Sequence, residues 1–237
     1  MSWVAGVDGC RAGWVAVYLD LEEQASPVLE IEKSFIRILD GSRRPAIIAV
    51  DMPIGLPDRS GPGGRAAERE VRPILGIRRS SVFSVPSRRA VMATSYREAC
   101  EIAFSTSEPP RKVSQQCFNI FEKIREVDGL MNPLLESRVY EVHPEVAFWR
   151  LNDRRPMRFP KKRFPEGRVE RQELLSRHGF VSPFLYERPP TDVGFDDVLD
   201  AAVSALIAVR IARKEAESFP SEPPRDESKG LRMAIWA

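Results

Sequence analysis

Four aspartates carry the chemistry this sequence offers: Asp8, Asp51, Asp197 and Asp200. Asp8 follows the apolar run 3–7 and Asp51 follows the continuous apolar run 46–50. Such runs read as strands, and an unbroken one as a strand covered on both faces. Open α/β sheets gather ligands at the carboxyl ends of their strands, so each aspartate is expected to end its strand beside the other. Asp197 and Asp200 are three apart, which puts both on one face of a helix. Asp200 also sits inside an alanine-rich apolar stretch, where a charge is costly without a partner. Taken singly, Asp8 before Gly9 also fits a turn, and Asp196 and Asp197 also fit the start of a helix. Gathered together, carboxylates repel one another unless a cation binds, and a hard divalent ion takes oxygen ligands.

That points to Mg²⁺ or Mn²⁺ as the expected cofactor, with all four aspartates as ligands. Two such ions roughly 3.5–4 Å apart orient water and stabilise a leaving oxygen during in-line displacement, with no side-chain nucleophile required. Zinc is poorly provided for, because His143 and His178 are the only histidines and Cys10, Cys100 and Cys117 are widely spaced. The three cysteines are expected to be free thiols. The run 3–7 is too short for a signal peptide, and 201–209 falls far short of the ~20 residues needed to cross a bilayer. The expectation is a cytoplasmic protein with no membrane partner.

The net charge of +2 is unevenly spread. Nine arginines face Glu68 and Glu70 between Arg59 and Arg97, giving +7. Nine basic residues face Asp153, Glu166 and Glu170 between Arg150 and Arg171, giving +6 and leaving 2 − 13 = −11 for the rest. Arginine suits bidentate phosphate contact, so Arg11, Arg78, Arg79 and Arg88 are the candidate substrate-binding residues. The first block is expected to line the approach to the aspartates. Solvated or salt-bridged faces are the plainer account of the same charges.

The elements that must position these residues follow from the apolar pattern. Residues 3–7 and 14–19 form a hairpin, 28–31 a third strand, and Ser34 can cap a helix to Leu39 that Gly41 ends. Residues 46–50 form a central strand and 138–142 a return strand. Between them, about 53–137, lies a loop-rich and mainly helical insertion with helices at 94–104 and 114–127. Residues 194–217 read as a buried helix, 220–228 as a solvated loop, and 230–236 as an edge strand. The whole, 1–237, is expected to be one α/β domain.

The blocks Asp8-Gly9-Cys10-Arg11-Ala12-Gly13-Trp14, Asp51-Met52-Pro53-Ile54-Gly55-Leu56-Pro57, Ser80-Ser81-Val82-Phe83, Tyr140-Glu141-Val142-His143-Pro144-Glu145, Asp197-Val198-Leu199-Asp200-Ala201 and Gly230-Leu231-Arg232 resemble those of domain-of-unknown-function family 429. That family is described as predicted nucleases of ribonuclease-H-like fold. The resemblance implies a mixed sheet, an antiparallel hairpin plus parallel strands, with helices on both faces. It makes Asp8 similar to the first-strand aspartate of such enzymes and Asp51 to their fourth-strand acid. Asp197 and Asp200 resemble the paired aspartates on the last helix of Holliday-junction resolvases. No acid after Ser34 matches the glutamate that ribonuclease H carries there. Glu141 and His143 are candidates for a further ligand or a base. The implied partner is a nucleic acid or another phosphodiester. Two alternatives compete with a nuclease: a non-catalytic nucleic-acid or protein-binding module, and an actin-like or sugar-kinase-like phosphotransferase. The second needs phosphate loops for which the Gly61–Gly64 cluster, no Walker A match, is no substitute.

Overall fold

The structure, a computed structural model, describes residues 2–159 and 165–237. Its centre is a five-stranded mixed sheet. Strand β1 (Trp3–Cys10) pairs antiparallel with β2 (Gly13–Asp20), which pairs antiparallel with β3 (Val28–Glu32). Helix α1 (Phe35–Asp40) returns the chain to β4 (Ile47–Val50), which runs parallel to β1. Five helices then precede the next strand: α2 (Ala66–Ile74), α3 (Arg88–Met92), α4 (Tyr96–Ser105), α5 (Gln115–Phe118) and α6 (Phe121–Leu130). Strand β5 (Val139–Glu141) closes the sheet parallel to β4, in the order β3-β2-β1-β4-β5. Helices α7 (Pro144–Leu151), α8 (Pro165–Arg177) and α9 (Phe195–Ala212) complete the α/β layers. Strands β6 (Ser218–Phe219) and β7 (Ile235–Trp236) form a separate antiparallel pair. This is the ribonuclease-H-like arrangement, an antiparallel hairpin extended by parallel strands.

Alternation along the strands sorts the core into two layers. Ala5, Val7, Ile48, Val50 and Val139 face a layer built with α1, α3, α4 and α6. Val4, Ala49 and Tyr140 face the other layer, where α7, α8 and α9 pack. The unbroken apolar run ending at Val50 therefore does lie between two strands and beneath helices on both sides. Among the described residues no helix is long and apolar enough to cross a membrane.

Several boundaries differ from the sequence expectation. Strand β1 continues through Asp8 to Cys10, because its antiparallel partner β2 pairs with it to Gly13 although parallel pairing with β4 stops at Val7. Ser34 makes no side-chain cap; Glu126 instead accepts the Phe35 N–H and holds the Trp14 indole N–H at 2.9 Å. The helix expected over 114–127 breaks at Ile120, whose backbone leaves the helical region (φ −100°, ψ 1°), and Phe118 turns back onto Phe121. The late helix ends at Ala212 rather than Glu217. The 220–228 segment is strapped down, since Asp226 is only 2% exposed and accepts from Arg88. The expected 230–236 edge strand shrinks to β7, outside the main sheet.

Candidate metal centre

The strand parity that builds the core also aims two aspartates. Gly6 and Asp8 share one face of β1, and that face meets α9: a Cβ on Gly6 would stand 2.0 Å from Ala205 N and 2.1 Å from Ala201 O. Asp51 continues the parity of Ala49, which faces the same layer. The register Val7↔Val50 sets Asp8 and Asp51 side by side, one residue beyond the last parallel pair. Asp200 precedes Ala201 on α9, so the contact that only glycine permits at residue 6 delivers Asp200 to the same strand ends.

One carboxylate oxygen from each of Asp8, Asp51 and Asp200 lies within 4.8 Å of the others. Asp8 and Asp200 are buried, and Asp51 is half-buried. Asp8 Oδ1 accepts its neighbour's amide, Gly9 N, at 2.7 Å. Oxygens bound to one Mg²⁺ at about 2.1 Å stand roughly 3–4.2 Å apart. A spread of 4.8 Å closes to that with small side-chain rotations, so the donor set fits a hard divalent ion. Asp197 is outside the trio. Its Oδ2 accepts from Gly194 N at 2.8 Å at the start of α9, although it lines the same cavity.

That cavity, of about 440 Å³, holds the aspartates on one side and Arg65, Arg78, Ser80, Ser81, Phe83 and His143 on others. Glu141 also lines the cavity but has the opposite strand parity to Asp51, and Arg65 grips it through Nη1 at 2.9 Å and Nη2 at 2.5 Å. Arg65 also binds Glu68 at 2.7 Å, and Ile54 N donates to Glu141 at 2.7 Å. Burial pushes the Glu141 carboxyl up to about 7; Arg65 opposes the shift and Glu68 adds to it. Burial pulls Arg65 down, but Glu141 and Glu68 outweigh it and keep the guanidinium charged. One cation thus serves two buried carboxyls, Glu141 and Glu68.

His143 is fixed by a cap: its Nδ1 accepts the Glu145 N–H at 3.2 Å, which leaves Nε2, 3.4 Å from Ser81 O, to carry the proton of a neutral ring. Glu145 lies between Arg78 at 2.9 Å and the fully buried Arg171 at 2.7 Å.

A family model described as "Protein of unknown function (DUF429)" matches residues 6–225. The chain belongs to this family. No curated protein and no solved structure matches it. The match embraces every residue of the trio and all of the fold except the start of β1 and the final strand.

The remaining candidates fall into two groups. Arg78 lines the cavity; Arg79 is exposed nearby in sequence but does not. Arg88 is not at the site: it binds Asp128 at 2.6 Å and Asp226 at 3.1 Å, which joins α3 to α6 and the C-terminal segment. Arg11 is exposed at the β1–β2 turn, outside the cavity lining. Of the 59–97 arginines only Arg65 and Arg78 line the cavity, so the block as a whole does not form its approach. Lys161, Lys162 and Arg163 of the second basic block lie outside the described residues. Sequence reasoning missed Gly6 and the pairing of Glu141 with Arg65 and Glu68. A glycine inside an apolar strand was the available signal for the first.

Proposed function

We propose that this protein is a divalent-metal-dependent phosphodiesterase, a nuclease in the broad sense, working at Asp8, Asp51 and Asp200. The convergence of three carboxylates within 4.8 Å, in a cavity that also presents Arg78 and His143, carries this reading. Bound Mg²⁺ or Mn²⁺ would supply Lewis-acid polarisation and an activated water. The protein's own groups do the rest. Asp8, Asp51 and Asp200 hold the charge in place, with Asp197 one turn earlier on the same helix. Arg78, steadied by Glu145, offers a guanidinium to a phosphate oxygen. His143, with its proton on Nε2, can offer a hydrogen bond to a phosphate or leaving oxygen while the proton stays on the ring, and the leaving oxygen takes its proton from water. Glu141 acts at a distance by fixing Arg65 and the Ile54 amide rather than as a ligand.

The α2–α6 segment then serves as an insertion within one domain, since Glu68, Gln116 and Ile120 from it help to wall the cavity. A cytoplasmic setting fits, because all three cysteines are free thiols. The test is hydrolysis of bis-p-nitrophenyl phosphate and of single-stranded, duplex and branched nucleic acids. Turnover should require Mn²⁺ or Mg²⁺, stop with EDTA, and be lost in Asp51→Asn and Asp200→Asn. Turnover surviving both substitutions removes the trio as the catalyst.

A further inference from the structure

A second cavity, of about 210 Å³, adjoins the first and shares Phe83 with it. Residues 82–87 divide the two: Val82 and Val85 line the carboxylate side, while Ser84, Pro86 and Ser87 line the other. The second cavity has no carboxylate in its lining, but carries Arg111 and Lys112 beside Ser60, Ser84 and Ser107. Arg111 and Lys112 are exposed, and neither side chain has a hydrogen bond or ion pair among the described residues.

More positive charge is gathered behind them. Arg72 donates to Ser84 Oγ at 3.0 Å and to Val82 O at 3.0 Å, and Arg69 donates to Gly64 O at 2.6 Å. None of these contacts is with a carboxylate. Burial lowers the Arg72 pKa; Glu68 opposes this, and repulsion from Arg111 and Arg69 adds to it. The Arg72 guanidinium therefore feels those of Arg111 and Arg69. Burial, then Glu68, pushes the Cys117 thiol on the wall up to about 12, so it adds no negative charge at neutral pH. Cations gathered around a hydroxyl-lined hollow are stabilised by an anion that enters it.

We propose that this pocket is a phosphate subsite, taking through Arg111, Lys112 and Ser84 a phosphoryl group of the ligand whose reacting phosphate lies at the aspartates, with Phe83 as the wall between them. The assignment of the occupant to the substrate rests on the phosphodiesterase reading; the affinity of the pocket for phosphate does not.

Inorganic phosphate is titrated by calorimetry into the full chain in EDTA, at constant ionic strength, for wild type, Asp51→Asn and the Arg111→Ala/Lys112→Ala double variant. Wild type and Asp51→Asn should bind, and the double variant should lose about tenfold or more in affinity. Both substituted side chains are exposed, so the fold should survive. Equal binding by the double variant overturns the subsite. Phosphate binding that needs Arg111 and Lys112 while Mn²⁺-dependent hydrolysis is absent upholds the pocket and rejects the catalytic reading. Repeating the titration with thymidine 3′,5′-bisphosphate and with a thymidine tetranucleotide distinguishes a small bisphosphate from a strand as the source. Loss in the double variant for either names it, and loss for neither overturns the subsite.

Discussion

Gly6→Ala should damage both the fold and the metal centre, although residue 6 touches no ligand. An added Cβ would stand 2.0 Å from Ala205 N, 2.1 Å from Ala201 O and 2.6 Å from Ser204 C. All three are backbone atoms of α9, so no side-chain rotation relieves them. Since Cβ contacts shorter than 3.0 Å essentially do not occur, α9 must retreat by about 1 Å. Overpacking of this kind costs ~1–3 kcal/mol, and rigid backbone on the receiving side puts it at the upper end. At ~2–4 °C per kcal/mol for a chain of this size, 3 kcal/mol lowers Tm by about 6–12 °C. Asp200 moves with Ala201, and a displacement of ~1 Å at a reacting centre costs about 100-fold in rate. The assay is thermal unfolding with and without Mn²⁺, beside metal-dependent hydrolysis. Gly9→Ala is the comparison for the fold, because the atoms nearest its added Cβ are side-chain atoms of Lys123 and Met52 at 3.4–3.5 Å, so no backbone has to retreat and Tm should stay near wild type. A Gly6→Ala protein with wild-type Tm and an undiminished Mn²⁺ response would refute the claim that this contact positions Asp200.

Asp51→Asn and Asp200→Asn should keep the metal-free Tm within about 2 °C of wild type or raise it, as each removes like-charge repulsion; the Mn²⁺-induced rise in Tm should disappear, and its persistence would count against the trio. With its pKa raised from 4.5 to about 7 in the fold, Glu141 favours folding most below pH 4.5, and that contribution is lost as pH rises through 7. Urea unfolding at pH 5 and pH 8 should show a loss of at most about 3 kcal/mol from this group, absent in Glu141→Gln; the same slope in both proteins would reject the assignment. Arg78→Ala should weaken polyanion binding and flatten its salt dependence by about one unit of slope, because Arg78 is the cavity guanidinium steadied by Glu145, and unchanged binding would remove it as a phosphate contact.

The sheet was legible in the sequence because its signals are local. The unbroken run to Val50 marks a strand covered on both faces, and Asp51 ends it. What escaped depends on partners far along the chain. Whether β1 stops at Val7 or continues to Cys10 is decided by β2, which keeps pairing after β4 has ended. Glu141 reads as a neighbour of Asp51 until its parity and the guanidinium of Arg65, 76 residues away, are known. The arginine block reads as a phosphate-binding face because charge counting cannot see Glu141, Glu145, Asp128 and Asp226 folding back onto it from outside the block. Asp197 and Asp200 share a helix face, yet the first turn of α9 uses Asp197 at Gly194 while the second brings Asp200 to the strands.

The most direct measurement is a crystal structure grown with Mn²⁺ and recorded at a wavelength where manganese scatters anomalously. An anomalous peak bonded to oxygens of Asp8, Asp51 and Asp200 is the predicted result. A well-ordered trio with no peak between its carboxylates, or manganese held only elsewhere, would contradict the metal centre.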